Sequence, residues 1–441
     1  MQPKNEDDMI SVKTDKKDLE KFYHKLETSA DLDPLLERIG DSKYVLLGEA
    51  SHGTHEYYTW RAQISKRLIE EKSFSFIAVE GDWPDCYKIN KWIKVYPNSE
   101  ENIQDVLKQF ERWPNWMWAN WEIAAFATWL KQHNKEKEEN KKVGFYGLDV
   151  YSLWDSMKIM VDYLEKEDPE TAKLAKNAFQ CFEPYKARDS YASVFRSARE
   201  GCKDEVIKLL KEVRRNAHKY DTEKEADLNA EINALVMANA EKYYEAMAGF
   251  GDDSWNVRDR HMVETLNTLM DYHDADAKVI VWEHNTHVGD ARATGMASSG
   301  LLNVGQLVRE QHEEEGVVLV GFGSYKGSVM AGSSWGAPMK EMRVPEGIEH
   351  SLENFLHESQ PKDKLIIFDE NRELAEAFRE KTGHRAIGVV YDPNWERGNY
   401  VPSKVSDRYD AFLFFDKTKA LHPLKIKPKG ELTPETYPFG I

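Results

Sequence analysis

Apolar residues follow two rhythms along the chain. Short, nearly continuous runs occur at 44–47, 74–79, 143–146 and 279–282, with further ones at 317–320, 365–368, 386–391 and 411–415. Between them, apolar positions recur every three or four residues. Continuous runs alternating with helical periodicity predict an α/β fold: a mostly parallel central sheet, buried on both faces and flanked by helices. Between 151 and 277 no strand pattern occurs. Ile232, Leu235, Val236 and Tyr243 share one helical face, as do Met262, Leu266 and Leu269, so this stretch reads as a large helical insertion capping the active-site cleft. Residues 1–40 read as an amphipathic helical lead-in carrying Leu19, Phe22, Tyr23 and Leu26. The predicted division is 1–40 lead-in, 41–150 first part of the core, 151–277 cap, and 278–441 second part of the core. A tryptophan-rich segment at 113–130 has Pro114 placed for a helix start, with Trp118, Trp121, Ala125 and Trp129 on one face. That face is expected to pack on the sheet, leaving Trp113 and Trp116 as a possible apolar substrate wall.

Composition narrows the function classes. The 441 residues carry 77 Asp and Glu against 60 Lys and Arg, a net charge of −17. That balance argues against a nucleic-acid binder, whose affinity comes from clustered cations. No run of about 18 apolar residues occurs, and the first residues lack the apolar stretch of a secretory leader. A cytoplasmic protein with no membrane association is expected. Cys86, Cys181 and Cys202 are too few and scattered for a disulfide framework, so they read as free thiols.

Functional groups of a parallel sheet collect beyond the carboxyl ends of its strands. Glu49, Ser51 and His52 follow the first run, Glu80 and Asp82 the second, Asp149 the third, and Glu283, His284, Asn285 and His287 the fourth. Ser51, Thr54 and Asp82 suit helix caps, and Asp149 divides evenly between a structural and a functional role. Glu49, Glu80, His52 and His284 are harder to explain that way, because a buried carboxylate needs a partner and an imidazole supplies one. A neutral imidazole oriented by a carboxylate is what general-base activation of water requires. Gly48, Gly53 and Gly81 would let backbone approach a ligand, and Arg61 would hold a substrate oxygen or neutralise a carboxylate. Trp83, Trp113, Trp116 and Asn285 are the substrate-binding candidates. The cluster Glu49, His52, Glu80, His284 and His287 also has acceptable metal-ligand chemistry, so a divalent metal stays open although no cofactor is expected. Two further patterns are set aside. Gly332-Ser333-Ser334-Trp335-Gly336 matches a nucleophile elbow, with His350, His357 and His384 downstream, but lacks its flanking elements. Gly321-Phe322-Gly323 lacks the third glycine and helix of a dinucleotide loop.

Six ordered segments resemble the erythromycin esterases: GEASHGTHEYYTWR (48–61), FIAVEGDWPD (76–85), GFYGLDVYSLW (144–154), WNVRDRHM (255–262), WEHNTHVGD (282–290) and YDAFLFFDKTKALHPL (409–424). The resemblance implies an α/β core closed by helices and a hydrolase without a covalent serine. It makes His52 the general base on water attacking an ester carbonyl, with Glu49, Glu80, Arg61, His284 and His287 completing the site. Arg258 and Asp259 match a further segment and read as a structural Arg–Asp interaction. The expected partner is a small-molecule ester or lactone. Macrolide substrates, antibiotic resistance and succinoglycan biosynthesis are associated with the family, but no motif reports substrate. A metal-dependent hydrolase and a non-catalytic binding protein are the alternatives.

Overall fold

The computed structural model describes residues 16–186, 202–216, 220, 224–247, 249 and 253–424. Residues 1–15 of the expected lead-in, parts of the expected insertion and residues 425–441 lie outside the described residues. The strands are β1 (His24–Lys25), β2 (Tyr44–Leu47), β3 (Phe76–Asp82), β4 (Gly144–Asp149), β5 (Val279–Trp282), β6 (Val317–Ala331), β7 (Lys340–Val344), β8 (Lys364–Ile367), β9 (Thr382–Arg385), β10 (Tyr400–Ser403) and β11 (Ala411–Thr418).

Nine of these build one sheet in the order β1-β8-β11-β6-β2-β5-β3-β4, with β7 paired to β6. From β11 to β4 every neighbouring pair is parallel. The pairs β1–β8, β8–β11 and β6–β7 are antiparallel. At the centre, Tyr44 pairs with Val279 on one side and Val317 on the other. Every residue of β2 and β5 is buried, which is why these strands read as continuous apolar runs. Side chains alternate between two cores. Val45, Leu47, Ile77, Val79, Ile280 and Trp282 pack with Tyr58, Ile64 and Leu68 of the helix His55–Lys72 and with Ile123, Phe126 and Leu130 of the helix Trp121–Asn134. Tyr44, Leu46, Phe76, Ala78, Val279 and Val281 pack with Ile232 and Leu235 of Ala226–Met247 and with Met262, Leu266 and Leu269 of Ser254–Tyr272.

The chain between β4 and β5 is helical among the described residues. Leu153–Glu167, Pro169–Lys186, Lys203–Asn216 and Ala226–Met247 enclose a core of their own that includes Met157, Leu164, Leu209 and Met237. Here the free-thiol expectation fails: Cys181 and Cys202 form a disulfide across 21 residues of sequence, leaving Cys86 as a buried free thiol. Cys181 is on the helix Pro169–Lys186 and Cys202 just before Lys203–Asn216, a proximity that scattered sequence positions did not reveal. No described helix is long and apolar enough to cross a membrane.

Three local expectations also change. The lead-in is not one helix: helices Lys16–Leu19 and Asp33–Ile39 are separated by short turns and by β1, because His24 and Lys25 pair with Leu365 and Lys364 at the sheet edge. The run at 386–391 makes only isolated bridges, Ser51 with Ile387 and Gly332 with Val390. Its Ile387 and Tyr391 pack on Val329 and Met342, so burial rather than strand pairing accounts for its apolarity. The tryptophan-rich helix starts at Trp121, where Asn120 Oδ1 accepts the Ile123 N–H at 2.8 Å, and Pro114 instead precedes a short turn at Asn115–Met117. Trp118 is therefore off the helix and Trp121 is 52% exposed. The segment 332–336 follows β6 but leads into β7 rather than a helix, so it makes no nucleophile elbow, and Gly321-Phe322-Gly323 lies inside β6.

Candidate active site

The loops leaving β2, β3, β4 and β5 meet at one sheet edge. Glu49 and His52 lie between β2 and the helix His55–Lys72, Glu80 and Asp82 among the last three residues of β3, Asp149 at the end of β4, and His284 just after β5. Gly48 and Gly53 shape this edge by close packing of protein on protein, not of ligand. A Cβ on Gly48 would fall 2.1 Å from Asn285 Oδ1, and one on Gly53 would fall 1.9 Å from the Met330 carbonyl oxygen.

His52 Nδ1 donates to Glu49 Oε1 at 3.0 Å, and Arg61 Nη2 donates to Glu49 Oε2 at 2.6 Å. Arg61 is fully buried between the rings of Tyr58 and Trp282, 4.5 and 4.9 Å from their centroids. It therefore neutralises Glu49 and does not reach a substrate. With Nδ1 engaged, His52 presents Nε2 to a cleft that it lines. Burial opposes protonation of His52, but Glu80 and Glu49 outweigh it and raise its pKa above the ordinary 6.5.

Glu80 is the second anchor. Its Oε2 accepts the His284 backbone N–H at 2.9 Å and its Oε1 accepts Arg258 Nη2 at 2.7 Å. Burial works against its ionisation, yet His287, Arg258 and His52 together hold it well below the usual carboxylate range. Arg258 also forks onto Asp149, with Nε to Oδ1 at 3.0 Å and Nη2 to Oδ2 at 2.6 Å. The same guanidinium lowers Asp149 despite burial. The expected Arg258–Asp259 interaction is thus overturned: Asp259 instead accepts His287 Nδ1 at 2.9 Å and the Val304 N–H at 3.0 Å. His287 stacks on Trp255 at 4.4 Å, 3.1 Å from Arg258 Nη1 and behind the cleft wall.

His284 differs from His52 in charge. Burial and then His52 itself push its pKa well below 6.5, keeping it neutral. Its Nδ1 is engaged by Thr286, 2.8 Å from the hydroxyl oxygen and 3.3 Å from the backbone N–H, which leaves Nε2. That buried Nε2 has no partner among the described residues, and the ring centroid is 4.8 Å from that of His52. Glu283, the next residue upstream, is buried with both oxygens unpartnered among the described residues and is held protonated by burial, with Glu80 and Asp259 adding to the effect.

The cleft, about 680 Å³ with the solvent at its mouth included, is lined by the polar residues His52, Glu80, Asp149 and Arg258 and by the apolar Phe110, Trp113, Met117 and Trp335. Trp113 meets Trp335 at 4.9 Å and donates to the Ala337 carbonyl at 3.0 Å, so the wall includes the segment set aside as a false elbow. Three binding candidates do not reach the cleft. Trp116 is buried away from it. Trp83 stacks on Tyr146 and donates to Asn229 Oδ1 in the opposite core. Asn285 is fully buried, exchanging hydrogen bonds with the Phe322 backbone. Sequence reasoning missed Arg112, which binds Asp82 at 2.5 Å, and the wall residues Tyr151 and Trp335. Burial raises Asp82 to about 7 against the pull of Arg112. The available signal for Arg258 was a cation on the helical face shared by Trp255 and Met262. The residues Glu49, His52, Glu80, His284 and His287 do not bring three ligand atoms within 4.8 Å of one another; among the described residues only His55, Glu122 and His422 do.

The erythromycin esterase family model matches residues 69–418. Erythromycin esterase type II of Escherichia coli is 24% identical over 381 residues, covering 79% of this chain and 86% of that protein. Among solved structures, a succinoglycan biosynthesis protein superposes with a TM-score of 0.72 at 20% identity, covering 92% of this chain and 96% of the other. An erythromycin esterase variant in its open conformation gives 0.64 at 15% identity, with 93% and 98% covered. At these identities the solved structures show a shared fold. The match over most of the length settles the relationship: this chain belongs to the erythromycin esterase family.

Proposed function

We propose that the protein hydrolyses an ester or lactone by general-base catalysis, with His52 as the base and no covalent intermediate. The observation that carries this reading is the Glu49–His52 pair: Nδ1 is held on a buried carboxylate and Nε2 faces the cleft. His52 Nε2 takes a proton from water as the oxygen attacks the carbonyl carbon. The carbonyl π electrons move onto oxygen, and neutral His284, its ring 4.8 Å from that of His52, is the proposed hydrogen-bond donor to that charge. As the tetrahedral species collapses, the imidazolium returns its proton to the departing alkoxide. The products are a carboxylic acid, which ionises, and an alcohol. Glu49 orients the base and stabilises its charged form, and Arg61 pairs with the other oxygen of Glu49 in a buried setting. Arg258 balances Glu80 and Asp149. The apolar part of the substrate lies against Trp113 and Trp335.

The test is His52→Ala on a panel of activated aryl esters and lactones, with circular dichroism to establish folding. Loss of hydrolysis in a folded variant supports the reading, and undiminished turnover removes His52 from the chemistry.

A further inference from the structure

We propose that His55, Glu122 and His422 form a binding site for one divalent cation of the zinc type, separate from the hydrolytic cleft and clasping the chain after β11 onto the two helices beside it. The three side chains come from distant parts of the sequence. His55 opens the helix His55–Lys72, Glu122 is in the first turn of Trp121–Asn134, and His422 lies beyond β11. Both Nδ1 atoms converge on one carboxylate oxygen: His55 at 2.6 Å and His422 at 2.7 Å from Glu122 Oε1. The imidazole rings stand edge to face, 5.3 Å apart.

This donor set is two imidazoles and a carboxylate, borderline ligands that suit zinc and its neighbours rather than magnesium or calcium. The geometry needs only a small adjustment. Bonds of about 2.0–2.1 Å at tetrahedral angles put donor atoms about 3.3 Å apart, so the atoms must separate by roughly 0.6 Å to admit the ion. His422 has the freedom to do this, being 62% exposed, while Glu122 is a fixed point at 4%. On binding, each neutral imidazole carries its one proton on Nε2 instead of Nδ1, by exchange with solvent, so that both Nδ1 lone pairs and an oxygen lone pair of Glu122 go to the cation and water fills the fourth position.

The position gives the ion a structural task. Residues 419–424 are already stitched across both helix starts. His55 N donates to the Lys419 carbonyl at 2.8 Å, Leu421 N to Gly53 at 3.0 Å, Trp121 N to His422 at 2.9 Å and Leu424 N to Ala119 at 2.9 Å. A cation here locks together the loop that carries His52 and the segment that carries the tryptophan wall. The proposal does not depend on the esterase reading, because its measurement is metal binding.

Protein stripped with a chelator and dialysed is titrated with zinc ion alone by calorimetry, and with cobalt ion by visible absorption. One zinc per chain, an intense tetrahedral cobalt spectrum and a higher melting temperature with zinc are expected for the unaltered protein. His422→Ala, at an exposed position where folding is not at stake, and Glu122→Gln are each expected to bind at least about tenfold more weakly and to lose the zinc-dependent rise in melting temperature. No zinc uptake by the folded, unaltered protein overturns the proposal, and so does uptake that His422→Ala leaves unchanged.

Discussion

Replacing Glu49 with glutamine isolates the pair on which the proposed chemistry rests. Glu49 accepts two hydrogen bonds, one from His52 Nδ1 and one from Arg61 Nη2. Glutamine has one acceptor oxygen, and the guanidinium, which can only donate, claims it. The amide NH₂ then faces His52 Nδ1, which must become an acceptor and shift the ring proton to Nε2. The nitrogen facing the cleft is no longer a base. A wrong tautomer in a triad of this logic lowers turnover on the order of 10³- to 10⁴-fold, or roughly 4 to 5.5 kcal/mol in the barrier. The residual activity carries a second signature. Only neutral His52 accepts a proton, and its pKa is raised above 6.5, so kcat/KM of the unaltered enzyme rises with pH through a value above 6.5. Removing the Glu49 charge moves that limb to lower pH. Asp82, which titrates near 7, stays common to both enzymes, so the difference between the two profiles belongs to His52. The assay is kcat/KM on an activated ester from pH 5 to 9 for both proteins, with urea unfolding alongside. A folded Glu49→Gln enzyme within threefold of the original, or with an unmoved acidic limb, would refute the role given to Glu49.

Arg258→Gln leaves Glu80 and Asp149 buried without their shared cation, so urea unfolding should show a loss of about 3–5 kcal/mol together with loss of turnover; an unchanged midpoint would contradict the burial argument. Trp113→Ala should raise KM about tenfold for bulky apolar esters while kcat holds, equivalent to about 1.4 kcal/mol of binding; Trp83→Phe, in the opposite core, should leave KM alone, and a reversed pattern would misplace the substrate wall. The Cys181–Cys202 bridge closes a loop of 21 residues in sequence, so Cys202→Ser should lower stability by about 3 kcal/mol, and denatured, unreduced protein should titrate as one thiol per chain from Cys86; three thiols would mean that no bridge forms.

The sheet was legible because burial on both faces writes itself as unbroken apolar runs. β2, β3, β4, β5 and β11 fall where those runs stand. Where a run is apolar for another reason the reading fails, as at 386–391, whose side chains fill a small satellite core. The residues at strand ends were also legible: Glu49, His52 and Glu80 do meet, because parallel strands deliver their ends to one edge. What the sequence hides is direction. Trp83 and Trp113 look equally available for a ligand, yet one turns into the core on the opposite face of the sheet and the other into the cleft. Contacts across long separations are hidden too: Arg258 is 178 residues from Glu80, and Cys181, on the helix Pro169–Lys186, meets Cys202, just before the helix Lys203–Asn216.

Arg258 ties the helix Ser254–Tyr272 to the carboxylates at the strand ends. It projects from Ser254–Tyr272, outside the sheet, into carboxylates supplied by β3 and β4. Its effects on the two central groups oppose each other. It helps keep Glu80 ionised, and ionised Glu80 favours protonation of His52, whereas its own charge disfavours that protonation. The protonation of His52 is thus a balance between Glu80 and Glu49 on one side and Arg258 on the other. The helix Ser254–Tyr272 seated differently would change the acid–base poise of His52 without touching it, because a unit charge in a buried site is only weakly screened. The −17 formal charge of the chain says little about this balance. It is fixed by the few carboxylates that Arg258 and Arg61 hold in place beside an imidazole.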